Sequence, residues 1–179
     1  MIPLDTATTA GLVLVAAAAA WYDLRERRVP NALTVGGLGL ALALGALGGW
    51  GGLGAAAAGA GIALLVALPV FMAGGMGGGD VKLLVAVGAF LGPSELPAAL
   101  AATALVGGVM AVVEMVRQGA VRHTLINLWL IVKGLGRKTF TRWKGRGSGE
   151  ALTVDAAGAV TIPYAVAIAV GAVVARLVL

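Results

Sequence analysis

The sequence predicts an all-α fold: a polytopic membrane protein of about six transmembrane helices, with an amphipathic helix on the cytoplasmic side. Three observations carry that expectation. Of the 179 residues, 60% are hydrophobic and only 12% charged, more apolar surface than a soluble domain of this size can hide. Apolar runs long enough to cross a bilayer, or nearly so, recur between short breaks. The basic residues gather on alternate connections instead of scattering.

The first run, 5–22, has no basic residue before it and ends in WYDLRERRVPN, with Arg25, Arg27 and Arg28 just beyond. That pattern reads as a reverse signal anchor with its N-terminus outside, not a cleavable signal peptide. Pro30 and Asn31 break the chain, and Asn31 is expected to cap the second run, 32–49. A turn is expected at Gly48-Gly49-Trp50-Gly51-Gly52, before the third run, 53–74. The glycine-rich stretch 74–79 follows. The fourth run, 80–92, has 13 residues, so as a helix it reaches roughly 20 Å against a hydrocarbon core of roughly 30 Å. Gly92-Pro93 separates it from the fifth run, 96–116. The segment 117–150 is basic, and its apolar centre around 125–135, with Trp129 and Trp143 suited to an interfacial depth, reads as an amphipathic helix on the inner leaflet. The sixth run, 157–178, contains Pro163 as a possible kink.

Six crossings that start outside put 23–31, 74–80 and 117–150 in the cytoplasm. All but Arg176 of the 13 basic residues then lie on the inner side, as the positive-inside rule requires. The net charge of +5 therefore belongs to a membrane face, and no nucleic-acid partner is implied. Residues 1–179 form one integral-membrane domain. The absence of cysteine excludes disulfides, thiolate metal sites and cysteine nucleophiles. The lone His123 leaves no histidine cluster for a metal, and no cofactor is expected.

Two aspartates stand out. Asp23 closes the first run and Asp80 follows the glycines in MGGGDVKLL. An ionisable group at membrane depth is costly and is by default a functional hypothesis. Both fall at the cytoplasmic ends of their segments, so each is the natural partner of the other. Paired carboxylates of this kind fit an intramembrane aspartic protease: one, ionised, takes a proton from attacking water while the other, protonated, donates to the carbonyl oxygen. The proton belongs to the pair and is not assigned to either residue. A glycine run cannot make a stable helix against lipid, so Asp80 is expected on irregular backbone at the floor of a cytoplasmic indentation. Gly77, Gly78 and Gly79 would let a substrate strand approach closely. Lys82 would hold the loop or tune the carboxylate, or snorkel to the interface.

These motifs resemble the prepilin peptidases, aspartic proteases of the GxGD type. Gly77-Gly78-Gly79-Asp80 continues as VKLL, DLRERRVPN carries the first aspartate, and IPYAVAIAVGAV at 162–173 is similar to the family's final membrane segment. The resemblance implies that Asp23 and Asp80 are the catalytic pair. It also implies removal of a short basic leader from prepilins and pilin-like proteins, after a glycine, at the cytoplasmic face of the bacterial inner membrane. Both termini would then lie outside. Larger members carry a tetracysteine zinc domain and also N-methylate the new terminus. With no cysteine, this chain resembles the short form associated with tight-adherence (Flp-type) pili. Two other classes remain: a non-catalytic scaffold for pilus assembly, and a small carboxylate-dependent transporter. Membrane lipid is a partner in every case, and nothing in the sequence sets an oligomeric state.

Overall fold

The computed structural model describes residues 4–73, 75–117 and 163–178. These residues are almost wholly helical and contain no strand. The helices are α1 (Leu4–Glu26), α2 (Asn31–Leu47), α3 (Gly49–Met72), α4 (Gly78–Arg117) and α5 (Tyr164–Val178). Three of them, α1, α3 and α4, are long and apolar enough to cross a membrane, whereas α2 and α5, of 17 and 15 residues, are apolar but shorter. The amphipathic helix expected within 118–150, with His123, lies outside the described residues.

The chain divides into two compact units: Met1–Gly107 with Pro163–Leu179, and Gly108–Ile162. Of the second, the described part is the last stretch of α4, whose Val109, Val112, Val113 and Val116 are exposed. The first unit holds the rest of the bundle.

Its helices alternate in direction, as the contacts along them show. A Cβ on Gly37 of α2 would meet Val15 of α1, and one on Gly48 would meet Leu4, so α2 returns along α1. Residues α4 brings near α3 follow the same logic: Gly78 lies by Phe71, Gly88 by Gly59 and Gly92 by Ala55. At Gly92 the backbone takes φ 67°, ψ −179°, a conformation essentially open to glycine alone. Beyond it the direction reverses, because Glu95 bonds Arg176 near the end of α5 while Gly107 lies against Tyr164 at its start. The expected separate runs 80–92 and 96–116 are thus two antiparallel arms of α4, hinged at the expected break. The first arm, 78–91, is short, roughly 21 Å.

Small residues hold these arms together. A Cβ built on Gly59 would lie 2.0 Å from the Gly88 carbonyl oxygen, and one on Gly52 2.4 Å from that of Gly45. In lipid the hydrophobic effect does not drive helices together, and close backbone approach takes its place. The buried stripe on α1 runs Gly11, Leu12, Val15, Ala16, Ala19 and Asp23. Its three- and four-residue spacing is one helix face, and Asp23 continues that face into the bundle.

Four expectations need correction. The turn before α3 is made by Gly48 and Gly49 (φ 80°), and Trp50, Gly51 and Gly52 are already helical. Pro30, not Asn31, is the residue that caps α2, and no side chain caps it. Proline there fits, since its fixed φ leads into a helix and no intrahelical donor is lost. Pro163 immediately precedes α5 and starts that helix without kinking it; Val166 N–H bonds its carbonyl at 3.2 Å. Finally, the glycine run is only partly irregular: Gly78 and Gly79 form the first turn of α4. The first-turn N–H groups have no intrahelical partners in any sequence, so glycine weakens a helix least there.

Candidate functional site

Asp23 and Asp80 come from different helices and lie at the same end of the first unit, within electrostatic range of each other. Each is positioned by its own local chemistry.

Asp23 is 7% exposed, on the last turn but one of α1. Ala165 N–H, in the first turn of α5, donates to its Oδ2 at 2.9 Å. That N–H is one of the donors a helix start leaves unpaired, and the positive end of the helix dipole faces the carboxylate. Asp23 is therefore a cap supplied from across the bundle. Arg27 also acts on it electrostatically. Arg27 has φ 50° and its N–H bonds the Asp23 carbonyl at 3.0 Å, a left-handed helix end made without glycine. Arg25 instead stacks on Trp21, 4.3 Å from the ring centroid, at an exposed rim.

Asp80 is half-buried at the third position of α4. The N–H groups of Asp80 and Val81 bond the Gly77 carbonyl at 3.1 and 3.2 Å. These bonds start the helix and set Asp80 in its first turn. Gly77 is tight, since a Cβ there would stand 3.1 Å from Asp80 Oδ2. Gly79 packs against Val29 at ordinary contact distance, and Gly78 against Phe71.

Lys82 is held by the start of α2. Its Nζ donates to Asn31 Oδ1 at 2.9 Å, tying the start of α2 to the Asp80 helix. Together with the Gly79–Val29 contact, it fastens the α1–α2 connection beside the glycine turn. The structure thus brings Asp23, Asp80, Gly77, Gly79 and Lys82 to one end of the bundle. Sequence reasoning missed the Ala165 N–H and the Asn31 side chain. A backbone donor carries no residue signature, and Asn31 after Pro30 looked like a cap. A cavity of about 370 Å³ lined by Thr8, Leu44, Gly52 and Phe90 lies toward the opposite end, away from the aspartates.

The class these features define is a helical membrane protein with two juxtaposed carboxylates at the ends of its helices. The chain belongs to the type IV leader peptidase family, which matches over residues 10–112 and so includes both aspartates and the glycine turn. It is 35% identical over 136 residues to a prepilin leader peptidase/N-methyltransferase of Neisseria gonorrhoeae, covering 71% of this chain and 47% of that one. The chain thus spans about half the length of that relative. No solved structure matches it.

Proposed function

We propose that this chain is an aspartic endopeptidase of the GxGD type, which removes the short basic leader of prepilins and pilin-like proteins at the cytoplasmic face of a bacterial inner membrane. One observation carries the reading: Asp23 and Asp80, far apart in sequence, lie in electrostatic range of each other at one end of the bundle. Asp23 keeps the Ala165 N–H on its carboxylate and Asp80 sits against Gly77, which supports a fixed orientation and leaves acceptor capacity for a water. Two interacting carboxylates share a proton more readily than both ionise. The ionised member takes the proton of the attacking water. The protonated member donates toward the scissile carbonyl oxygen, and the leaving amine is protonated as the peptide bond breaks.

In this reading the six alternating arms cross the membrane, both termini lie outside, and the aspartates face the cytoplasm. All but one of the 13 basic residues are then cytoplasmic, which supports the orientation. A substrate helix reaches the site laterally from the bilayer, and its unwound leader junction lies along Gly77, Gly78 and Gly79, beside Lys82.

The test is cleavage of a co-expressed prepilin, read as the mass of its N-terminus, with wild type beside Asp23→Asn and Asp80→Asn. Trimming by wild type alone supports the pair. Full trimming by either variant would remove that aspartate from the chemistry, and a matched prepilin left uncut by folded wild type would favour a scaffold.

A further inference from the structure

Among the described residues, Arg176 is the one basic residue at the end of the first unit opposite the aspartates, and each of its three guanidinium nitrogens makes a hydrogen bond. Its Nε–H donates to Thr9 Oγ1 at 2.9 Å, its Nη1 to Glu95 Oε1 at 2.6 Å, and its Nη2 to Asp5 Oδ1. Asp5 and Thr9 belong to α1, and Glu95 to the second arm of α4. The Arg176 side chain is 17% exposed, and a planar fork with several simultaneous bonds fixes geometry as well as adding energy.

α5 therefore has a polar fastener to α1 at each end: Ala165 on Asp23, and Arg176 on Asp5 and Thr9. Between them the helix rises roughly 17 Å. Apart from Ile168, its buried residues are all alanine or glycine. Such a face allows close approach, but its shallow ridges resist axial sliding weakly. Gly171 already touches Thr103 and the Ala99 carbonyl, so α5 is pressed sideways onto the bundle while its register is left to its ends.

We propose that Arg176 is a positioning residue for the aspartate site: it fixes the axial register of α5 on α1 and so holds the Ala165 N–H on the Asp23 carboxylate. The proposal rests on the reading of Asp23 as catalytic. It separates two jobs on one helix, an anchor at the far end and an orienting donor at the site.

The experiment measures kcat and KM for prepilin cleavage by the full chain in membranes, normalised to folded protein. Arg176→Gln, Arg176→Lys and the double variant Arg176→Gln/Glu95→Gln stand beside Asp23→Asn. The double variant matters because Glu95 Oε2 is buried without a hydrogen-bond partner among the described residues, so removing Arg176 alone strands a charge and threatens folding. A register shift near 1 Å costs up to about 100-fold in rate. The expected result is a kcat lowered about 10- to 100-fold in the double variant with KM unchanged, and partial rescue in Arg176→Lys. Wild-type kcat in the folded double variant, with Asp23→Asn inactive, would overturn the positioning role alone. Wild-type cleavage by Asp23→Asn would overturn the site assignment, and the positioning role with it.

Discussion

Replacing Asp23 tests the structure more sharply when two substitutions are compared than when either is taken alone. Ala165 is fully buried and its N–H reaches Asp23 Oδ2 at 2.9 Å. Its neighbour Val166 N–H is already served by the Pro163 carbonyl. Asp23→Asn keeps a carbonyl oxygen at the same place and so keeps a neutral hydrogen bond. Asp23→Ala removes the acceptor and leaves a buried N–H unpaired, a cost of about 1–3 kcal/mol. Both variants relieve the desolvation of the carboxylate, so that contribution cancels in the comparison. The alanine variant should therefore be less stable than the asparagine variant by about 2 kcal/mol, while both fail to cleave. The direct assay is hydrogen exchange at the Ala165 amide in detergent-solubilised protein. A difference of about 2 kcal/mol corresponds to exchange about 30-fold faster in Asp23→Ala. Equal protection in the two variants would refute the argument that Asp23 caps α5.

Other substitutions probe separate contacts. Gly59→Ala puts a Cβ 2.0 Å from the Gly88 carbonyl oxygen, where both sides are backbone. The expected loss is about 1–3 kcal/mol or more, seen in thermal unfolding, whereas Gly61→Ala, with nothing within 4 Å, should unfold like wild type. Gly77→Ala crowds Asp80 Oδ2 at 3.1 Å, and cleavage should fall about tenfold in protein that still folds, read from initial rates. Asn31→Ala and Lys82→Ala each break the 2.9 Å bond between them. A double-mutant cycle on stability should give a coupling of about 0.5–1 kcal/mol, as for other exposed polar pairs; a coupling near zero would dissolve the tie between α2 and the Asp80 helix.

Much of this arrangement was legible in the sequence. The helical runs and the break at Gly92-Pro93 follow from apolar length and from glycine and proline placement, and the cost of carboxylates at membrane depth is what singled out Asp23 and Asp80. The errors share one physical cause. At Gly48–Gly52 and Gly77–Gly79, composition says that the backbone is free, but not where the free residues end. In both places the helix begins within the glycines, because a first turn asks little of its residues' propensities and neighbouring helices supply the packing. The Ala165 N–H was invisible for a different reason. It depends on α5 packing beside α1 with its first turn against Asp23, which is a tertiary fact. Arg176 could be read only as an exception to the charge pattern; that Asp5 and Glu95 neutralise it depends on α1, the second arm of α4 and α5 packing side by side, which no run or motif shows.

A bundle built this way has an unusual division of labour. Its helix contacts are dominated by alanine and glycine, which bring backbones close but interlock little. Precision at the aspartates must then come from polar ties, and the described ones lie mostly at helix ends: Ala165 to Asp23, Gly77 to Asp80, Lys82 to Asn31, and Arg176 to Asp5, Thr9 and Glu95. Of these, the Ala165 tie is buried and those of Arg176 to Thr9 and Glu95 are partly so, and there a group that loses its partner is left unsatisfied. Under the proposed function, a substrate helix entering from the bilayer would meet the apolar middle of the bundle, while the ends keep the carboxylates in register. In such a bundle, loosening the middle and loosening the ends have different consequences: the first changes access to the site, and the second changes the chemistry once the substrate is there.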